Sequence, residues 1–300
     1  MEVEVRQDLE LKEVSYFKIG GKVKNIYYPK STNEFSYLLK TLENPLIFGG
    51  FSNVLFSSVG VNQDIICTQK MDSFEIKDCY VKALAGVRGA VLSRACMENS
   101  LTGFEFMSGF PGTIGGNIYM NASAHKQCIS DTLIKVKIFD TEKKEIIELT
   151  KDELGFSYRT SILQTKPYIL LEAEFELKKG NKEEIQQTII NNREFRKAHQ
   201  PQALPNVGSI FRNPDGDSAG RMLDEIGAKS FAVGGAKVFE KHANFIINDN
   251  NATSTDVLEL MLMMYNKVEE KFNVKLRPEV KYFGEKTDRE KEICTILFQK

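Results

Sequence analysis

The sequence predicts a mixed helix-and-strand protein of two or three domains. Three observations carry this. A chain of 300 residues exceeds one ordinary domain and suits two or three. Its opening reads as a β–α–β unit: a strand at 25–29, a capping box at Ser31-Thr32-Asn33-Glu34 that starts a helix to about Leu42, and a buried strand at 45–48. Further on, stretches of alternating polarity (133–139 and 145–149) read as paired strands, while 88–99 and 253–272 carry the apolar spacing of helices.

The remaining elements follow in order. Short strands are expected at 54–56, 64–68 and 80–85. A second capping box, Thr150 to Glu153, opens a short helix before Tyr158-Arg159. A strand at 168–177 leads to a polar helix at 181–197, and the stretch His199-Gln200-Pro201-Gln202-Ala203-Leu204-Pro205 marks a domain boundary. Beyond it come a strand at 208–211, a helix at 217–226, short strands at 235–239 and 244–247, the long helix and a final strand at 276–283. Residues after Glu285 read as a charged tail. Met261, Met263 and Met264 fit a ligand groove or, at this helical spacing, core packing.

Composition excludes several classes. Net charge is −1, so no bulk attraction to nucleic acid or anionic membrane is expected. No apolar run approaches the roughly 20 residues of a membrane span, and the charged N-terminus lacks a signal-peptide apolar core. Five cysteines without CxxC spacing suit reduced thiols in the cytoplasm, and three histidines give no metal centre.

Two glycine-rich stretches hold the chemistry. One is Gly49-Gly50-Phe51-Ser52-Asn53, directly after a buried strand. The other runs from Thr102 to Ala124 and contains Gly103, Gly109, Gly112, Gly115 and Gly116. Small residues keep backbone amides accessible, and amides hold phosphate without lysine. A tight structural turn explains the same composition. Neither stretch is a Walker loop or a dinucleotide fingerprint of GxGxxG spacing. Two cation-poor glycine and hydroxyl loops together suit a diphosphate such as that of FAD. Arg159 fits an anion fork or a surface charge. Ser209, beside Gly208, fits a turn. Glu279, inside an apolar strand, is either solvent-facing or buried for a purpose. His242 reads as structural.

In register along residues 15–285, eight blocks carry a resemblance. They are Ile19-Gly20-Gly21; Gly49 to Leu55; Leu101-Thr102-Gly103-Phe104-Glu105 running on to Asn121-Ala122; Tyr158-Arg159-x-Ser161; Gln200-Pro201; Gly208 to Pro214; Lys241 to Phe245; and Pro278-Glu279-Val280. The chain resembles the UDP-N-acetylenolpyruvoylglucosamine reductase family of peptidoglycan synthesis. It is similar to the shorter, type II branch, because no long tyrosine-bearing insertion separates Asn213 from Glu279. The resemblance implies an α+β fold. Two FAD-binding subdomains of the vanillyl-alcohol-oxidase type would span 1–70 and 71–200, a substrate-binding domain 201–285, and a tail 286–300. It implies FAD and NADPH as cofactors and UDP-N-acetylglucosamine enolpyruvate as substrate. Hydride would pass from flavin N5, with a proton from Ser209 and with Arg159 and Glu279 steadying the enolic intermediate.

By the same resemblance Gly49, Gly50, Phe51, Ser52, Asn53, Val54, Ser108, Gly109, Pro111, Gly112, Thr113, Gly115, Gly116, Asn117, Asn121 and Ala122 would hold FAD. Tyr158, Lys197, Gln200, Asn213, Lys241, His242 and Asn244 would hold the substrate. A cytoplasmic monomer is expected. This chain departs from the family pattern at Phe51, where a third glycine is usual, and at Ser123-Ala124-His125-Lys126, where Gly-Ala-Tyr-Gly is common. It also departs at Phe239, where serine is common. Either the backbone differs at Phe51 or its ring points outward. The alternatives are a related FAD-dependent oxidase of alcohols or sugars, and a non-catalytic flavin-binding protein.

Overall fold

The computed structural model describes residues 2–298; residue 1 and residues 299 and 300 lie outside the described residues. The architecture is α+β. The chain forms two compact units and changes unit after Arg6, Asn25, Gly50, Gln63 and Arg196.

The first unit holds residues up to Arg6, 26–50 and 64–196. Its opening is a parallel arrangement in which strand Ile65–Cys67 lies between Lys22–Tyr28 and Leu46–Phe48. The helix between them is Thr32–Thr41, capped by Ser31 Oγ, which accepts from Glu34 N at 3.2 Å. The reciprocal bond reaches Lys30 N, not the cap residue itself. Phe35, Leu38 and Leu39 on its inner face pack with Ile66, Phe139 and Leu171. A five-stranded antiparallel sheet follows, ordered Glu145–Thr150, Leu133–Asp140, Tyr168–Glu176, Tyr80–Leu84, Phe74–Lys77. The edge strand Phe74–Lys77 and the N-terminal strand Glu4–Glu10 are elements that polarity did not reveal.

One face of this sheet buries Val81, Ala83, Val136, Ile138, Ala173 and Phe175 under helix Gly89–Glu98 and the stretch Phe104–Ile118. The alternate residues carry cross-strand ion pairs: Lys82–Glu172 at 3.1 Å, Lys137–Glu172 at 3.2 Å and Lys135–Glu148 at 2.9 Å. The period of two therefore fixes both the core and the solvent face.

The second unit holds 7–25, 51–63 and the chain from Lys197 on. Its antiparallel sheet is ordered Asn206–Ser209, Phe245–Asn248, Ala236–Val238, Ala232–Val233. The long helix, Ser254–Phe272, starts at a capping box of Thr253 and Asp256. It buries Val257, Leu258, Met261, Met264 and Val268 in the core with Ile210, Phe211 and Ile246. Met261 and Met264 thus serve packing, while Met263 stays exposed.

Two expectations change here. The residues after Glu285 include a helix, Asp288–Leu297, with Ile293 and Leu297 in the core of this unit. Its charges alternate with a buried stripe of Glu290, Ile293 and Leu297, which overall polarity conceals. The final strand shrinks to Lys281–Phe283, parallel to Val54–Phe56. Pro278 lacks an amide proton and cannot continue a central ladder; it forms a single bridge to Phe211.

Candidate active site

The two glycine stretches touch within the first unit. A Cβ at Gly49 would lie 2.1 Å from Thr113 Oγ1, so only glycine allows this approach. Gly50 meets nothing closer than 3.8 Å, with Gly112 Cα next at 4.0 Å. Thr113 caps the short helix Ile114–Tyr119, its hydroxyl accepting from Gly116 N. The amides of Ile114 and Gly115 donate to Val87 O and Ala85 O, both at 2.8 Å. Gly115 thus answers a packing need, because a Cβ there would press on Ala85 O at 3.1 Å. Asn117 is buried, with its amide nitrogen 3.6 Å from Met107 Sδ. The backbone of Ala122 closes the turn by donating to Asn117 O at 2.8 Å.

At the other end of the stretch, a Cβ on Gly109 would lie 2.6 Å from Arg196 Cδ. The Arg196 guanidinium sits 5.4 Å over the Phe110 ring, and burial lowers its pKa to about 10. Its Nε is buried without a hydrogen-bond partner, as is Asn121 Oδ1. A buried guanidinium nitrogen left unsatisfied beside a glycine loop suits an anion. These features fit a dinucleotide: close-set glycines, a cleared backbone at Gly50, and one cation that sequence reading missed.

The Ser157–Thr160 turn displays Arg159. Ser157 and Thr160 exchange both backbone hydrogen bonds, and Arg159 has φ 55°, the third-position geometry of a type II turn. Gln164 Nε2 donates to Arg159 O at 2.9 Å and to Tyr119 O at 2.8 Å. Asn121 Nδ2 donates to Ser157 O at 3.0 Å. The guanidinium Nη1 donates to Ser123 Oγ at 2.7 Å and the group lies 5.2 Å from the exposed Tyr158 ring.

In the second unit, Phe51 also has a left-handed backbone, φ 55°. Its ring is buried and stands edge-on to Phe56 at 5.6 Å. The backbone keeps a conformation that suits glycine, and the ring points inward rather than outward. Asn53 joins this loop to the last strand: its Nδ2 donates to Glu279 O at 3.2 Å, and Lys281 N donates to Asn53 O at 3.1 Å.

Ser209 ends its strand after Gly208 (φ 81°), which follows an Asx turn made by Asn206 Oδ1 and Gly208 N. Glu279 N donates to Ile210 O at 2.7 Å, which sets Glu279 on the chain beside Ser209-Ile210. Asn244 braces the other side. Its Oδ1 accepts from Phe211 N at 2.9 Å and its Nδ2 donates to Phe211 O at 2.8 Å. That carboxamide is spent on backbone, so Asn244 shapes the Ser209 strand. His242 Nδ1 accepts from Asn244 N, its ring packs at 4.6 Å on Phe245, and burial lowers its pKa.

Around Glu279 are two cations the sequence did not single out. Burial, then the charge of Arg212, push the Lys281 pKa down, and Glu279 pushes it up. Arg212 Nε and Gln200 Oε1 are buried without partners. Lys197, Asn213 and Lys241 are exposed; Asn213 Oδ1 accepts from Ala219 N. Among the described residues no cluster of His, Cys, Asp or Glu has metal-binding form, and no helix is long and apolar enough to cross a membrane.

Comparison with known proteins gives this geometry a family. An FAD-binding domain model matches residues 23–150, and a model of the UDP-N-acetylenolpyruvoylglucosamine reductase C-terminal domain matches 200–283. The chain is 39% identical over 290 residues to a UDP-N-acetylenolpyruvoylglucosamine reductase of Caldicellulosiruptor bescii, covering 94% of this chain and 92% of that one. The chain belongs to the UDP-N-acetylenolpyruvoylglucosamine reductase family. A second member, from Caldanaerobacter subterraneus, is 39% identical over 280 residues, with 92% of each chain covered. The crystal structure of the family member from Thermus caldophilus superposes with a TM-score of 0.81 at 29% identity, covering 94% of this chain and 99% of that one. The protein is therefore a flavin-binding oxidoreductase of peptidoglycan precursor synthesis. Its fold combines an FAD-binding portion with the family's C-terminal domain.

Proposed function

We propose that this enzyme reduces UDP-N-acetylglucosamine enolpyruvate to UDP-N-acetylmuramate with NADPH as the electron source. When bound, FAD supplies the two-electron chemistry, accepting hydride from the nicotinamide and passing it to the enolpyruvyl double bond. Gly49, Gly50 and the 109–122 stretch would hold the cofactor, with Arg196 as the counter-charge to its diphosphate. Ser209 gives its hydroxyl proton to the substrate carbon next to the ether oxygen. Arg159, permanently charged, stabilises the negative charge that gathers on the substrate carboxylate. Glu279 is read as steadying the same enolate by donating a hydrogen bond from its carboxyl group, with Lys281 close by in the chain.

The observation that carries this reading is the 2.7 Å bond from Glu279 N to Ile210 O, which fastens the Glu279 chain beside the Ser209 strand. Tyr158, Lys197, Gln200, Asn213 and Lys241 are read as contacts to the nucleotide sugar, with His242 and Asn244 shaping the strand beneath. We assign 1–70 and 71–200 to FAD binding and 201–285 to substrate binding, in a cytoplasmic monomer; five unpaired cysteines accord with that compartment.

Ser209→Ala tests the reading. The purified variant should still bleach on NADPH addition and should fail to regain its yellow colour when the enolpyruvyl nucleotide is added. Recovery at the wild-type rate would refute the assignment of Ser209.

A further inference from the structure

We propose that Ser123 is a positioning residue for Arg159, fixing its guanidinium for the enolate through an uncharged hydrogen bond. This rests on the reading of Arg159 given above. Arginine has a long side chain with many rotamers, so a guanidinium that must meet a developing charge gains from being held beforehand.

Both ends of Arg159 are held. At the backbone, Gln164 takes the Arg159 carbonyl and Asn121 takes the Ser157 carbonyl. At the tip, Ser123 Oγ accepts from Nη1 at 2.7 Å, in the range of a charge-assisted bond. The chemistry of the acceptor matters. A carboxylate at this place would neutralise the guanidinium before the substrate arrived. A hydroxyl orients it without bringing a negative charge of its own.

Ser123 is itself set in place. Ser123-Ala124 pairs with Gln127-Cys128 in a hairpin whose two turn residues, His125 (φ 51°) and Lys126 (φ 64°), are both left-handed. That turn geometry is ordinarily given to Asn-Gly. The His125 ring stands edge-on to Phe195 at 5.7 Å, which fastens the hairpin tip to helix Lys182–His199. The four residues that leave the family pattern thus form one device. A glycine at 123 has no acceptor to offer; the serine supplies one.

The test uses the FAD-loaded enzyme and separates its two half-reactions in a stopped-flow instrument. Ser123→Ala and Ser123→Gly should bleach with NADPH within two-fold of wild type. Their reoxidation by UDP-N-acetylglucosamine enolpyruvate should slow about ten-fold, while the dissociation constant of that nucleotide for the oxidised enzyme moves less than three-fold. Ser123→Thr should restore reoxidation to within two-fold. Reoxidation of Ser123→Ala at the wild-type rate, equal slowing of both half-reactions, or a threonine variant as slow as alanine would each overturn the proposal. Arg159→Ala separates the two levels. If it is slowed a hundred-fold while Ser123→Ala is not slowed, only the role of Ser123 fails. If Arg159→Ala reoxidises normally, the reading of Arg159 fails and the role of Ser123 fails with it.

Discussion

Phe51 lets two opposing energies be weighed at one residue. Its left-handed backbone costs a residue with a side chain about 1–2 kcal/mol. Its ring is 2% exposed and packs edge-on to Phe56, and deleting such a ring costs about 3–5 kcal/mol. The ring wins, which is why a bulky residue persists at a glycine-type corner. Alanine at 51 loses the ring and keeps the strain. Glycine loses the ring and relieves the strain, although its looser unfolded chain takes back about 0.5–1 kcal/mol. Phe51→Ala should therefore lose about 3–5 kcal/mol, and Phe51→Gly about 0–1.5 kcal/mol less. At about 2–4 °C per kcal/mol, the glycine variant should melt up to roughly 6 °C above the alanine variant. Thermal unfolding followed by circular dichroism measures both. An alanine variant that melts above the glycine variant would refute the left-handed assignment and the arithmetic built on it.

Other outcomes follow from the same packing and charge. Glu290 is fully buried and accepts from Ser254 Oγ at 2.6 Å and Thr287 N at 2.9 Å. Glu290→Ala should cost about 2–4 kcal/mol in urea unfolding by orphaning both donors, with Glu290→Gln recovering part of the loss. Gly49→Ala should weaken FAD retention on dialysis, because its Cβ would meet Thr113 Oγ1 at 2.1 Å, and adding Thr113→Ala should restore part of it. His242 is held neutral in the fold, by burial first and then by the charge of Lys229. Its unfolded form protonates near 6.5, so its contribution is fully present above about pH 6.5 and is lost as pH falls toward its lower folded value. His242→Phe should flatten the fall in melting temperature on the acid side; an unchanged slope would count against this.

The alternating stretches were legible because a half-buried sheet writes its two faces into the sequence: Val136 and Ile138 inward, Lys135 and Lys137 outward. The cap at Ser31 was legible because a hydroxyl three residues before a carboxylate has one dominant use. The C-terminal helix was not, since two inward apolar residues among charges do not bring average polarity below that of a tail. At the site, glycine content marked both loops, yet composition could not say which amides were already spent. Gly115 N and Ile114 N are, and only the register of Ala85–Val87 reveals it. Arg196 was invisible because nothing in a polar helix distinguishes the arginine that turns onto Phe110. Ser123 was visible only as a departure; its partner lies 36 residues on.

The pairing of Val54–Phe56 with Lys281–Phe283 bears on how the chain is made. Asn53 and Glu279, tied by a hydrogen bond at the edge of that pair, are 226 residues apart. During synthesis, residues 7–25 and 51–63 emerge early, but their unit also needs the chain from Lys197 onward. The first unit has all its sequence once Arg196 is out. The second must keep Leu55 and Phe56, both fully buried in the finished protein, waiting until Lys281–Phe283 has been made. A nascent chain of this enzyme therefore carries apolar strand that its pairing segment has yet to cover for most of its translation.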